Sequence, residues 1–277
     1  MPSLSPPLLR LLPRALLALG LGASLTVADA AVPEPGEGAR LLRYVGEARA
    51  PDSGALIYVE EHLLREQAGQ PVERLVLYRC ADGTPFARKQ VEYGTQPFAP
   101  AFELVDARLD YREGLRREGE AWIVFGGAGE RAHQTPLEDI ESIVADAGFE
   151  PFVRQHWAQL QAGESVPIDF LVPSRARSYG FRLSKVEALQ IQGEAASRMR
   201  LSLSGVFGLF APAIDVIYRD ADQWLLRFEG MTNIRESARE NVVAHIAFPQ
   251  TPQPVAADAW AQASGESLQS CALPTAG

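Results

Sequence analysis

Cysteine, methionine and histidine are scarce in this 277-residue chain, with two, three and four copies. Lys89 and Lys185 are its only lysines. With Cys80 and Cys271 as the only cysteines there is no C-x-x-C, which excludes a thioredoxin-like motif and a cysteine-based zinc site. His62, His133, His156 and His245 share no metal-ligand spacing, and no H-E-x-x-H is present, so no metal site is expected. A G-x-S-x-G nucleophile elbow is missing, as are the Walker and dinucleotide glycine loops. The glycine-rich "FGGAGE" at 125–130 has neither the lysine nor the strand–helix setting of a phosphate cradle and reads as a loose turn. Basic runs with interleaved aromatics are absent, and a net charge of −9 makes the chain a poor partner for nucleic acid. The acidic residues are scattered, so nothing in their spacing supports a glycosidase-type carboxylate pair. No fixed-period repeat points to a solenoid or propeller. No cofactor is implied.

Long apolar runs are missing too, except at the N-terminus. Arg10 and Arg14 precede the apolar stretch Ala15 to Val27, and Ala28–Ala30 supplies a small-x-small sequence. Basic segment, short apolar core and A-x-A site make a secretory signal peptide over residues 1–30, cut after Ala30 with Ala28 as the alternative. The run is shorter than the roughly 20 residues a membrane-spanning helix needs. No cysteine follows it for lipidation, which places the exported chain in the periplasm. Loss of residues 1–30, which carry Arg10, Arg14 and Asp29, leaves the rest one charge more acidic. Residues 31–40 read as a flexible Pro/Gly leader, 41–249 as one β-rich domain and 250–277 as a mobile tail that can hold a short helix around Ala256–Ala263.

Within the domain the pattern is β. "GALIYVEEHLLREQ" and "VERLVLYRC" are strand-like and separated by the turn "AGQP" at Ala68–Pro71. "ADGTP" turns the chain into "FARKQVEY", and "DARLDYREGLRREGEAWIVFGG" reads as a further hairpin turning near Arg117–Gly119. Polar "GAGERAHQTPLEDIESI" ends this meander. Phe149, Phe152, Val153, Trp157 and Leu160 then recur at helical spacing, with Pro151 in the first turn and Gly163 as the cap, which predicts one amphipathic helix over 149–162. "SVPIDFLVPSR" is extended and stops at Pro173. "RSYGFRLSKVEAL", "ASRMRLSLSG", Ile214–Tyr218, "QWLLRFEG" and "NVVAHIAF" are the later strands, the last of them final, while "VFGLFAP" reads as a loop or short helix.

Candidate binding residues follow from that layout. The helix offers Phe149, Phe152, Val153, His156, Trp157 and Leu160, and the adjoining strand offers Phe170 and Arg175. Arg227, Glu229, Asn233 and Arg235 stand at the margins of apolar strands and suit a polar rim around an apolar cavity, where arginine grips a carboxylate or phosphate. Ordinary surface Arg–Glu pairing explains the same residues. Cys80 and Cys271 are compatible with a disulfide in an oxidising compartment or with two independent thiols.

"VADAGFEPFVRQHW", "FLVPSR" and "LLRFEGMTNIR" resemble stretches of an uncharacterised family of exported proteins from Gram-negative bacteria, over about Leu56 to Phe248. That resemblance implies no activity. In architecture alone the pattern is similar to the half-barrel carriers that move lipoproteins or lipids across the periplasm, and no residue role transfers from it. The expected fold is mainly β: a single antiparallel, strongly curved, half-barrel-like sheet wrapping the helix at 149–162. The function expected from it is a binding or carrier module for an apolar ligand, be it a lipid, an acyl chain or a lipoprotein segment, making only transient membrane contact. The alternative is a structural protein with a filled core that binds an envelope partner. An enzyme using Arg175 or His156 is the least favoured reading.

Overall fold

Side chains that alternate between the two faces of a sheet make strands of most of the described residues. The computed structural model describes residues 38–205 and 213–274. The signal segment and residues 206–212 of "VFGLFAP" therefore lie outside the described residues.

The first half of the chain forms β1 (Ala39–Arg49), β2 (Leu56–Gln67), β3 (Gln70–Arg79), β4 (Pro85–Glu92), β5 (Ala101–Asp106), β6 (Tyr111–Glu118), β7 (Ala121–Ala128) and β8 (His133–Leu137). Each strand pairs antiparallel with the one before it. The turn between β2 and β3 has two residues. Ala68 and Gly69 both have positive φ, +50° and +76°, which is the geometry a two-residue hairpin loop requires.

The second half forms β9 (Ile143–Val144), β10 (Ser165–Val172), β11 (Arg177–Ile191), β12 (Glu194–Leu203), β13 (Ile214–Arg219), β14 (Leu225–Arg235) and β15 (Asn241–Ala247). It returns strand by strand until β15 pairs with β1, Glu47 opposite Ala247. The result is one large curved sheet that stays open between β8 and β9. One pair departs from the antiparallel expectation: the short β9 runs parallel to β10. A turn at Pro173–Arg175 lies against β6 and β7 near the opening, where His133 Nε2 is 2.9 Å from the Pro173 carbonyl. β8, read from sequence as the polar end of the meander, is a largely exposed edge strand interrupted by Pro136, a residue suited to an edge.

The aromatic helix is split in two. α1 (Phe149–Gln155) and α2 (Trp157–Gln161) meet at His156, whose backbone sits at φ −96°, ψ +11°. The cause is local. The Phe152 carbonyl accepts the backbone N–H of His156 at 3.2 Å and also faces its ring Nδ1 at 2.9 Å, so the side chain competes for the helical acceptor. Gly163, at φ +83°, ends α2, and Glu164 N–H reaches back to the Gln159 carbonyl. Both helices pack on a core that includes Val166, Ile168, Leu183, Met199 and Val216.

The C-terminal segment corrects two expectations. β15 is not the final strand, because β16 (Gln253–Pro254) pairs with β1. Nor does the segment lack contacts as a mobile tail would. α3 (Ala259–Gly265) covers the outer face of β2 and β3, where Ala263 and Trp260 pack on Leu63, Leu75 and Leu77. Arg65 lies over the Trp260 ring at 4.3 Å, and Arg79 makes a two-pronged bond to Glu266. A Cys80–Cys271 disulfide fastens the strap beyond it. Spread over a helix and single anchors, these contacts leave no periodicity for a sequence reading to detect.

Candidate functional site

The inner face of the sheet is not uniformly apolar. On β2, Tyr58, Glu60, His62 and Leu64 point the same way and all four are buried. β3 adds Arg74, Val76 and Tyr78, and β4 adds Lys89 and Val91. The register aligns His62, Val76, Lys89, Leu104 and Glu113 as one lateral row across five strands. Charged groups thus enter the barrel at the parity of the core.

A cavity of about 360 Å³ lies over this face. Its charged lining comes from the first half of the sheet and the approach to α1: Glu60, His62, Arg74, Lys89, Glu113, Asp146 and Glu150. Its apolar lining comes from α1 and the second half, through Phe149, Phe170, Phe181, Leu201, Val216 and Phe228 among others. At about 30 Å³ per water, the space would hold roughly a dozen. That exceeds any ordinary packing defect and falls in the range of about 300–1,000 Å³ typical of small-molecule sites.

Two ion pairs span the charged side. Arg74 donates to both oxygens of Glu150, at 2.8 and 3.2 Å. Burial alone would raise the Glu150 carboxyl, but the Arg74 guanidinium outweighs it, Arg154 adds to the effect, and Glu150 is held down at about 2. Lys89 Nζ reaches both oxygens of Asp146, at 2.6 and 2.9 Å. Asp146 itself has φ +39°, a left-handed conformation that aspartate tolerates better than most residues.

The other two carboxylates have only uncharged direct partners. Glu60 lies 3.0 Å from His62 Nε2. Burial lowers the His62 pKa, with Glu60 opposing in part, so the ring is neutral and Nε2–H donates. Its Nδ1 is then a lone pair, and it has no partner. Glu113 accepts the Tyr111 hydroxyl at 2.6 Å, and Arg235 donates to that same hydroxyl at 3.0 Å. Burial pushes the Glu113 carboxyl upward. Tyr218, fully buried and also lining the cavity, has no hydrogen-bond partner for its hydroxyl.

Three residues expected at the site from sequence line this space. Phe149 and Phe170 meet edge to face with centroids 6.2 Å apart, and Asn233 accepts the Tyr78 hydroxyl at 3.4 Å. Phe152, Val153 and Leu160 lie instead in the core beside the cavity, with Trp157 packed edge-on to Tyr218. His156 is engaged with the Phe152 carbonyl. Arg175 and Arg227 do not reach the cavity. Arg175 is exposed on the turn after β10, and Arg227 is on the outer face, 3.4 Å from Glu229. Of the rim set, Arg235 is the one that touches the charged network. The charged residues themselves were missed. Their signal was parity: "YVEEHLL" puts Glu60 and His62 in step with Tyr58 and Leu64, and Arg74 is in step with Val76 and Tyr78.

Among the described residues no three His, Cys, Asp or Glu side chains gather as a metal site, and no helix is long and apolar enough to cross a membrane. No family model matches the chain, and no curated protein matches it. Two solved structures are similar to it in part. One is a beta-barrel-like protein of the domain of unknown function DUF1849 from Brucella abortus, with 7% identity over 78% of this chain and 95% of that one, at a TM-score of 0.35. The other is a putative outer membrane lipoprotein-sorting protein domain from Vibrio parahaemolyticus, with 8% identity over 78% of this chain and 85% of that one, at a TM-score of 0.28.

Proposed function

We propose that this chain is a periplasmic binding or carrier module for an amphiphile, with an apolar tail against the aromatic wall and a polar head on the charged side. The observation that carries the reading is the two-sided cavity of about 360 Å³ inside the open sheet. A protein built only to present its outer surface to a partner gains nothing from such a space, since unfilled volume costs stability. Buried charges likewise cost stability, and their presence beside an apolar wall suits a ligand with two chemistries. The Cys80–Cys271 bridge supports an exported, oxidising location. The acidic net charge argues against nucleic acid as a partner. The role is carriage, with membrane contact limited to loading and release.

Titration calorimetry with decanol tests the reading. One decanol is expected to bind per protein. Val216→Trp, which pushes an indole into the cavity from β13, is expected to weaken binding at least about tenfold, the equivalent of 1.4 kcal/mol. Decanol that fails to bind, or that binds the variant equally well, overturns the proposal.

A further inference from the structure

The charge pattern of the cavity narrows its ligand further, an inference that rests on the carrier reading above. Arg74 and Lys89 are the two basic side chains lining the space, and each is already engaged by both oxygens of a carboxylate. An anionic head group would have to displace Glu150 or Asp146 and leave that carboxylate buried without its cation, which is strongly unfavourable. Glu60 and Glu113 are in the opposite position. They line the same space, and their direct partners are a histidine ring and a tyrosine hydroxyl. Arg235 reaches Glu113 only through that hydroxyl.

A second observation points the same way. Three buried side-chain atoms of lining residues lack partners among the described residues: the His62 Nδ1, the Tyr218 hydroxyl and the Nε of Arg74, whose other two nitrogens hold Glu150. Buried polar groups of native proteins are almost always satisfied, so orphans beside an empty space mark where a ligand's polar atoms belong. Nδ1 is an acceptor and the tyrosine oxygen can accept, as can both carboxylates. Against the one orphan donor, Arg74 Nε, stand four groups that can accept, so the lining as a whole calls for a donor. A primary ammonium brings three donors and one positive charge and has nothing to accept with.

We propose that the cavity selects amphiphiles whose head group is a protonated amine, its charge met by the Glu60 and Glu113 carboxylates and its three N–H groups by acceptors drawn from these two, His62 and Tyr218. The apolar wall takes the chain and sets affinity, and the unmatched carboxylates set head-group choice.

Calorimetry on the full disulfide-bonded protein compares decylammonium chloride, sodium decanoate and decanol, each below its micellar concentration. Decylammonium is expected to bind at least about tenfold more tightly than decanoate, since only the ammonium gains charge-assisted hydrogen bonds to the carboxylates. Glu60→Gln with Glu113→Gln is expected to erase the preference for the amine over decanol. Decanoate binding as tightly as decylammonium overturns the proposal on the unmodified protein, whether or not the double variant folds. A preference that survives the double substitution overturns it as well. If decanol and decanoate bind and the amine does not, only the head-group assignment falls. If none of the three binds, the carrier reading falls with it.

Discussion

Removing Arg74 should invert the acid response of the protein. Arg74 is 7% exposed and holds the Glu150 carboxylate in two hydrogen bonds. The Glu150 carboxyl falls from an ordinary value of 4.5 to about 2, which at about 1.4 kcal/mol per pH unit corresponds to about 3 kcal/mol favouring the ionised form. The folded-state value lies below the unfolded one, so this stabilisation is complete above pH 4.5 and is lost as the pH falls through 4.5 towards 2. Arg74→Met leaves Glu150 buried with only Arg154, 3.7 Å away, for a partner. Breaking a buried pair from one side costs about 3–5 kcal/mol, and desolvation then favours the protonated acid. Urea unfolding of the two proteins at pH 7, 5, 4 and 3 measures this. The parent should lose stability across the acid range. The variant should be weaker at pH 7 by the stated amount and should recover part of the deficit as Glu150 takes a proton. Joining Arg74→Met to Glu150→Leu removes both charges and should restore much of the stability at pH 7. Parallel pH curves for parent and single variant would refute the reasoning, because they would mean that Glu150 does not depend on Arg74 for its ionised state.

Three further outcomes follow from other parts of the structure. Cys271→Ser releases the strap and should cost about 2–4 kcal/mol, with hydrogen exchange rising first in residues 255–268; unchanged exchange there counts against the role given to the disulfide. Gly148→Ala places a Cβ on the Phe98 carbonyl ahead of α1, and a loss of about 1–3 kcal/mol in thermal unfolding is expected, whereas a neutral effect would contradict the close packing there. Burial raises the Glu113 carboxyl, so the protein should lose stability as the pH climbs through the folded-state value. Glu113→Gln should flatten that decline above pH 4.5, and an equally steep decline in the variant speaks against a desolvated Glu113.

The features legible in the sequence were those with a local cause. Period-2 alternation and paired turn residues located most strands, and the spacing from Phe149 to Leu160 located the helical segment. Curvature around that segment followed from the need to cover an apolar face. The break at His156 was hidden because it depends on one ring nitrogen competing for one carbonyl. In the C-terminal strap a short helix around Ala256–Ala263 and a candidate disulfide were legible, but its docking was hidden because Trp260 and Ala263 acquire their partners on β2 and β3 only after folding, nearly two hundred residues back along the chain. Phe149, Phe170 and Asn233 were found at the cavity because apolar runs and strand margins mark them. The charged side was missed because Glu60, Arg74, Lys89 and Glu113 look like surface residues one at a time. Only the inward parity they share with Tyr58, Val76 and Val91, together with the lateral register of five strands, puts them inside.

The most direct test of the central claim is what the cavity holds in its own compartment. The protein can be purified from its native host without detergent, weighed intact under native conditions, then extracted with organic solvent and the extract analysed by mass spectrometry. The account expects an adduct of one amphiphile per chain, absent after extraction and absent from the Val216→Trp variant. A native mass equal to that of the bare disulfide-bonded chain, with nothing amphiphilic in the extract, would contradict it.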